Sequence, residues 1–303
     1  MKVLVLGSAA GGGFPQWNCN CRNCRGVRDG SIKAKQRTQS SIAVSADSHN
    51  WVLINASPDL LAQLKVLPQL QPGRKLRDTG LKAVVLVDSQ LDHTCGLAML
   101  REGEPLNVYC TSSVHTDLMT GNPLLRILEN YCGVEWLEVK LHQGFQIPGI
   151  DDVELMALPV TSKAPPYSSH RNAPSEDDNI ALRITDRSIR RGLLYAPGLA
   201  TVDNRVWDEM SQADCLLIDG TFWRDDEMIR SGAGRKLARE MGHLALSGDN
   251  GMLSYLRQLP DVRKILIHVN NTNPILDEDS RERRELEQIG VEVAHDGMEI
   301  VLD

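Results

Sequence analysis

The chain has 303 residues, 42% of them hydrophobic, a length that accommodates one large α/β domain or two small ones. Its 33 Lys and Arg residues stand against 40 Asp and Glu residues, which gives a net charge of -7. These charges are spread along the chain without a basic stripe, so nucleic acid is excluded as an expected ligand.

Two further features of the sequence indicate the cellular compartment in which the protein is located. No run reaches the roughly 20 apolar residues of a membrane span, and glycines interrupt MKVLVLGSAAGGG too early for a signal peptide. The seven cysteines are an odd number, and three lie within residues 19–24, which favours thiolate chemistry in a reducing compartment over disulfides. We therefore predict a cytoplasmic protein without membrane insertion, formed by one domain over residues 1–303.

Short runs rich in β-branched residues and leucine predict strands. In chain order they are KVLVL, WVLIN, KAVVLV, LNVYC, VELMALPV, NIALRI, GLLYA, CLLID, KILIH and MEIVL. Helices are predicted for PDLLAQLKVL from Pro58, NPLLRILENYC capped by Asn122, DNGMLSYLRQL capped by Asp249, and SRERRELEQIG. Many strands with few helices indicate layered sheets with helices outside them. Residues 164–178 predict a long loop, either a lid, a binding loop or a disordered segment.

The first chemical cluster follows the turn that we predict over Gly7 to Gly13. Cys19, Cys21 and Cys24 form a C-x-C-x-x-C pattern. Three thiolates at this spacing can hold one tetrahedral Zn²⁺ if a distant residue supplies the fourth ligand. Free cysteines are the alternative, but exposed clustered thiols would oxidise, and the βαβ setting of a thioredoxin-like pair is absent. We predict a structural zinc site.

The second cluster gathers carboxylates and histidines at strand ends. KAVVLV leads into DSQLDHTCGL, which places Asp88, Asp92 and His93 where side chains can share a pocket. His268 ends the strand KILIH, and His243 lies in EMGHLALSG. Each histidine alone is more simply interpreted as a core or surface residue. Together with the adjacent Asp92 and His93 they indicate a metal site.

Six segments carry a family resemblance that covers essentially the whole chain. They are LGSAAGGGFPQWNCNCRNC, LVDSQLDHTCGL, LLIDGTFW, GHLALSGDNG, ILIHVNNTNPIL and DGMEIVL. In order and spacing they resemble the metallo-β-lactamase-like superfamily, most closely its branch that serves synthesis of coenzyme pyrroloquinoline quinone (PQQ). The phosphonate-pathway cyclic phosphodiesterases share the cysteine segment and the closing DGMEI. The resemblance implies an αββα sandwich of the metallo-β-lactamase type, with metals held at strand ends between two sheets.

The chain departs from the hydrolases of that superfamily at their ligand positions. Their motif H-x-H-x-D-H reads D-S-Q-L-D-H here, so Asp88 and Gln90 replace the two leading histidines. Their middle histidine would fall near Thr161 and their bridging aspartate near residues 195–196, where no such ligand occurs. The resemblance therefore implies that the two-metal hydrolytic centre is lost.

The surviving ligands are Asp92, His93 and His268. Two histidines and one carboxylate with open positions are typical of non-haem Fe(II) oxygenases, although zinc accepts the same ligands. We predict Fe(II), and the resemblance implies a Glu-Tyr-derived PQQ precursor whose phenol ring is hydroxylated. His243 and Asp219 are predicted to orient the substrate or transfer protons.

Several points stay open at this stage. Asp88 is either a further ligand or a partner that fixes an imidazole tautomer. The fourth zinc ligand is unassigned, since the histidine of the phosphodiesterases corresponds to Asn271. A non-catalytic carrier that assists transport of PQQ or its precursor to the periplasm is one alternative, and a phosphodiesterase-like hydrolase is another. The missing ligands favour the carrier over the hydrolase. Other PQQ-pathway proteins and a second copy, forming a homodimer, are the expected macromolecular partners.

Overall fold

A computed structural model describes residues 1–303 and contains two seven-stranded sheets. The strands are β1 (Lys2–Gly7), β2 (Ser41–Ser45), β3 (Trp51–Ile54), β4 (Leu81–Val85), β5 (Leu106–Cys110), β6 (Val134–Glu138), β7 (Gly144–Phe145), β8 (Val153–Pro159), β9 (Ile180–Asp186), β10 (Arg191–Ala196), β11 (Cys215–Asp219), β12 (Arg263–Ile267), β13 (Val291–Val293) and β14 (Glu299–Val301). The first sheet has the order β14-β1-β2-β3-β4-β5-β6, and the second has the order β13-β12-β11-β10-β9-β8-β7.

Helices connect the strands and cover the outer faces of both sheets. They are α1 (Arg22–Asp29), α2 (Leu60–Val66), α3 (Leu91–Thr94), α4 (Ser112–Met119), α5 (Leu124–Leu128), α6 (Asn204–Gln212), α7 (Glu227–Arg230), α8 (Met252–Leu256) and α9 (Arg281–Gln288). Short 3₁₀ helices occupy Pro68–Leu70, Cys95–Leu100, Arg239–Met241 and Pro274–Leu276. No helix has both the length and the apolar character that a membrane span requires.

Strand β1 shows why the sheets form layers. Because successive side chains of a strand point to opposite faces, Val3 and Val5 enter the core between the sheets, whereas Leu4 and Leu6 face the helices α2, α4 and α5. The second sheet is covered by α6, α8 and α9 on its outer face in the same way. The predicted αββα sandwich is confirmed.

All ten predicted strand runs contain a strand, and all four predicted helices form. Four strands were not predicted, namely β2, β6, β7 and β13. Two of them are very short, since β7 has two residues and β13 has three. In β2, Ser and Ala alternate with the β-branched residues and weaken the pattern. The predicted caps Asn122 and Asp249 are wrong, since Pro123 and Gly251 occupy those positions and each helix begins one or two residues later. Residues 164–178 form the predicted loop.

The topology brings the predicted ligands to one rim of the sandwich. Strands β3 to β6 pair in parallel in the first sheet, as do β10 to β13 in the second. Residues that follow β4, β11 and β12 line one cavity, so the carboxyl ends of these strands meet at the same rim. The chain leaves these ends through Asp88, Asp219 and His268.

Candidate metal centre and its pocket

A cavity of about 190 Å³ lies at this rim between the two sheets. Its walls include the side chains Asp92, His93, Phe222, Met241, His243 and His268. Four of these six side chains are titratable, and Phe222 and Met241 add an apolar wall. The arrangement is typical of a small polar site with a few convergent functional groups.

Asp88 turns the chain and orients His93. Its Oδ1 accepts the backbone N–H of Gln90 at 2.9 Å, and the chain then enters the short helix α3 that carries Asp92 and His93. The ring Nδ1 of His93 lies 2.8 Å from Oδ2 of Asp88 and donates to it. Of the two roles considered for Asp88, this geometry corresponds to the partner that fixes the tautomer of a ligating imidazole.

The other ring nitrogen of His93 has no partner. Its Nε2 is buried and makes no hydrogen bond, one of few side-chain atoms in that state. With Nδ1 engaged by Asp88, we assign Nε2 as the ligand atom. Leaving a buried polar atom unpaired costs about 1–3 kcal/mol, so such an atom marks a place where a metal ion fits.

His268 approaches Asp92 from the opposite sheet. Its Nε2 lies 3.2 Å from Oδ2 of Asp92, and its backbone adopts φ 60°, a left-handed conformation that non-glycine residues seldom take. A Cβ atom at Gly11 would stand 3.2 Å from that same carboxylate oxygen, so glycine leaves room beside it. Asp92, His93 and His268 each offer a ligand atom within 4.8 Å of the others.

The charges of this pocket favour a cation. Burial opposes charge on His93, but the carboxylates of Asp88 and Asp92 outweigh it and raise the pKa of His93 to about 9. Burial likewise opposes charge on Asp92, yet the neighbouring His93 and His268 hold the pKa of Asp92 well below its usual range. A metal ion can take over the positive charge that protons carry otherwise, and protons are released when it binds.

Asp219 and His243 form a hydrogen-bonded pair beside this centre. Asp219 is fully buried, and its Oδ2 accepts from Nδ1 of His243 at 2.7 Å and from the backbone N–H of Leu199 at 2.9 Å. Its Oδ1 accepts the backbone N–H and the hydroxyl of Thr221, at 2.9 and 2.6 Å. Asp219, His243 and His268 also lie within ligand distance of one another, but four donors already engage the Asp219 oxygens.

The positions that carry further ligands in hydrolases have other tasks here. Nε2 of Gln90 donates to the carbonyl of Lys163 at 2.8 Å, which ties the start of the 164–178 loop to the pocket. Thr161 is exposed, and the hydroxyl of Tyr195 lies deep in the core within 3.4 Å of Asn55. None of the three offers a ligand atom to the groups described above.

The three cysteines of the N-terminal cluster converge on Asn271. Cys21 caps helix α1, and the Cys19, Cys21 and Cys24 sulfurs lie within 4.8 Å of one another. Nδ2 of Asn271 lies 3.1 Å from the Cys19 sulfur and 3.3 Å from the Cys24 sulfur. Burial, the largest influence, raises the pKa of the Cys21 thiol to about 11. Asn271 thus stands where a fourth ligand would be expected.

Thr221 and Asn270 are among the polar residues of the pocket that escaped sequence reasoning. Thr221 follows Asp219 by two residues, and Asn270 follows His268 by two, so each shares the strand end of a predicted site residue. That proximity was the available signal. Both are uncharged residue types that are common in loops, so the pattern alone could not separate them from turn residues.

Comparisons with known proteins give the chain its family. The model of the β-lactamase superfamily domain matches residues 50–269. Coenzyme PQQ synthesis protein B of Azoarcus sp. (strain BH72) is 58% identical over 304 residues and covers 100% of both chains. The protein of the same name from Pseudomonas fluorescens (strain Pf0-1) is 57% identical over 303 residues, again covering 100% of both chains.

Solved structures agree with this result. Zn²⁺-bound PqqB from Methylobacterium extorquens is 36% identical, covers 100% of both chains and superposes with a TM-score of 0.89. A diphosphatase from the PhnP family is 17% identical, with a TM-score of 0.68 over 99% of this chain and 96% of that chain. At that identity the second likeness concerns the fold alone.

Proposed function

The chain belongs to the coenzyme PQQ synthesis protein B family, and from this premise we propose that it binds one Fe(II) through Asp92, His93 and His268 and hydroxylates the phenol ring of a Glu-Tyr-derived PQQ precursor. Its curated relatives are named for PQQ synthesis, which supports the pathway. A relative of known structure carries Zn²⁺, which supports metal binding.

One observation carries the proposal. Asp92 Oδ2 and the Nε2 atoms of His93 and His268 meet in a buried pocket. The Nδ1 atom of each ring forms a hydrogen bond on the side of the ring away from this meeting point, with Asp88 for His93 and with Thr221 for His268. One carboxylate oxygen and two imidazole nitrogens that converge in this way favour a bound cation. Two imidazoles and one carboxylate fit Fe(II), and when bound this ion supplies activation of O₂ at its open positions.

The protein residues have separate tasks in this reaction. His243 donates its Nδ1–H to Asp219, so its Nε2 is the atom that can accept the phenol proton of a bound substrate. Asp219 stabilises the imidazolium that forms. Phe222, with its ring centroid 5.8 Å from that of His243, gives the substrate ring an apolar surface. The cavity of about 190 Å³ has room for the reacting ring.

The balance of the reaction requires a further reactant. Hydroxylation breaks a ring C–H bond, forms a C–O bond with one atom of O₂ and reduces the other oxygen atom to water. Two electrons and two protons must come from an external two-electron reductant. We therefore expect turnover only when the precursor, O₂ and such a reductant are present together.

A hydrolase of the two-metal type receives less support from the geometry. That mechanism needs a second ion to share a hydroxide and clamp both oxygens of the reacting group. Here the Asp219 oxygens are occupied by four hydrogen bonds, Asp88 is bound to His93, and Gln90 holds the loop. One ion is the arrangement that these residues favour.

Isotope labelling tests the proposal. Protein purified without oxygen and reconstituted with Fe(II) is given the precursor, a reductant and ¹⁸O₂, and the product is analysed by mass spectrometry. We expect one ¹⁸O atom in the product and matching O₂ uptake. Binding of the precursor without O₂ uptake would instead indicate the carrier, and oxygen incorporated from water would indicate hydrolytic chemistry.

A further inference from the structure

We propose that Thr221 is a positioning residue that fixes His268 as a metal ligand by holding the ring proton of His268 on Nδ1. Thr221 is 2% exposed and lies beyond the end of β11, across the pocket from Asp92. The inference rests on the proposed metal site and goes beyond it, because Thr221 supplies no ligand atom itself.

The hydroxyl of Thr221 has one proton and two oxygen acceptors for it. Its Oγ1 lies 2.6 Å from Oδ1 of Asp219 and 2.9 Å from the carbonyl oxygen of His268. A carboxylate and a carbonyl can only accept, so the hydroxyl proton goes to one of these two oxygens. It is therefore not available to a histidine ring.

This assignment determines the proton on His268. Nδ1 of His268 lies 2.9 Å from Oγ1 of Thr221. Nδ1 of His243 also lies near this oxygen, at 3.1 Å, but donates its proton to Asp219 at 2.7 Å. Because the hydroxyl proton points elsewhere, the ring must be the donor in this contact, and the proton resides on Nδ1. Nε2 is then free to present a lone pair beside Oδ2 of Asp92, at 3.2 Å. Two acceptors that face each other at this distance are stabilised by a cation between them.

Loss of the hydroxyl should reverse the preference of the ring. Nδ1 would then face an apolar group, and the proton would be better placed on Nε2, where it can be donated to Asp92. That hydrogen bond uses the same two atoms as the metal, so it competes directly with metal binding. His268 would remain in the fold but would be a poorer ligand.

Backbone contacts hold Thr221 in place for this task. The backbone N–H of Asn270 donates to the carbonyl of Thr221 at 3.1 Å, and Nδ2 of Asn273 donates to the same carbonyl at 3.2 Å. The segments after β11 and β12 are thus tied together on both sides of the hydroxyl. A hydroxyl held this rigidly can define the direction of the His268 ring, in the way that outer partners orient metal-bound histidines.

The test compares Thr221→Val, Thr221→Ser and a matched control, Thr38→Val. Thr38 also donates its hydroxyl to a partly buried carboxylate, Oδ2 of Asp296 at 2.7 Å, but it lines no part of the pocket. Zn²⁺ serves as the probe. Competition with a chelator gives the zinc affinity of the proposed site at His268, the non-cysteine site. Total zinc content shows whether the cysteine cluster keeps its ion. Melting temperature reports on folding.

We expect Thr221→Val to weaken this affinity by about 10–100-fold, the usual effect of removing an outer partner of a metal ligand. Thr221→Ser should restore affinity, and Thr38→Val should lower only the melting temperature. In ¹⁵N-histidine NMR of the Zn²⁺-loaded wild type, His268 should be bound through Nε2 and protonated on Nδ1.

Unchanged affinity in Thr221→Val would overturn the inference. So would equal weakening in the Val and Ser variants, or coordination of zinc through Nδ1 of His268. If Thr221→Val loses zinc from both sites together with its melting transition, its role is structural and the inference also fails. Absence of a non-cysteine metal site in the wild type would refute the proposed function itself, which is a separate outcome.

Discussion

Two groups of potential ligands share His268 and differ in how their atoms are satisfied. In the first group, Asp92 and His93 meet His268 with an unpaired Nε2 and a carboxylate oxygen that has one neighbour at 3.2 Å. In the second group, Asp219 accepts four hydrogen bonds, one of them from His243. Both groups contain one aspartate and two histidines, so residue type does not distinguish them.

The difference teaches how to tell a ligand from a supporting group. An acceptor whose lone pairs already have donors has little to offer a cation, whereas a buried acceptor without a partner gains a full interaction when the cation arrives. By this criterion the first group binds metal and the second orients His243. Substitutions in each group should therefore have different effects on metal binding.

The largest effect should follow removal of a ligand. His93→Ala and His268→Ala should abolish Fe(II) binding and oxygen-dependent hydroxylation, because two remaining ligands cannot hold an ion that lies low in the affinity series. His243→Ala should retain the metal and lose rate by about 10²-fold or more, as expected for loss of proton transfer. Metal analysis and single-turnover assays provide the measurements. Metal loss in His243→Ala with retention in His268→Ala would reverse the assignment of the two groups.

The cysteine cluster should respond independently of both groups. Cys21→Ser should lower zinc content and melting temperature, since this residue both supplies a sulfur and caps α1, and structural zinc contributes folding free energy directly. Fe(II) content of the folded fraction should be unchanged. A variant with full zinc stoichiometry and wild-type stability would show that the cluster is not a structural zinc site.

A smaller effect is expected for the partner of His93. Asp88→Asn should reduce metal affinity by about 10–100-fold, because a neutral amide holds the Nδ1–H less strongly and removes a negative charge. Asp117→Asn is the matched control, since Asp117 is also buried but accepts from Ser89, at 2.7 Å. Chelator competition measures both affinities. Equal loss in the two variants would assign Asp88 a general role in folding.

We expect no hydrolytic activity from this protein. Protein supplied with Zn²⁺ or Mn²⁺ should not cleave phosphodiesters or β-lactams above background, because a second ion lacks ligands when Asp88 and Gln90 replace histidines. Colorimetric phosphodiester and β-lactam assays are sufficient. Robust turnover of either substrate class would mean that the second group does bind an ion.

The sequence predicted the architecture well because the strand signal is local. Short runs of β-branched residues and leucine mark the strands, and each predicted run contains one. In β1 the alternating side chains fill two apolar layers, one on each face of the sheet. Helix ends were less accurate, since Asn122 and Asp249 are favoured cap residues but the chain turns one or two positions later. Short edge strands such as β7, which has two residues, are too short to form such a run.

At the candidate site, sequence could identify residues but not their hydrogen bonds. Asp92, His93 and His268 were predicted as ligands and are brought together, while Asp88 had two roles that only its 2.8 Å contact with His93 could separate. Thr221 was not predicted, because a hydroxyl becomes informative only when its donors and acceptors are known. These hydrogen-bond partners are brought together by packing across two sheets, so they produce no motif of fixed spacing in the sequence.

The most direct test of the account is the position of iron in a crystal of Fe(II)-loaded protein, measured by anomalous diffraction at the iron absorption edge. We predict one anomalous peak in the active pocket, among Asp92 Oδ2 and the Nε2 atoms of His93 and His268. The His243–Asp219 hydrogen bond should be intact in the same crystal. A peak bound by Asp219 and His243, with His93 Nε2 still unpaired, would contradict the account.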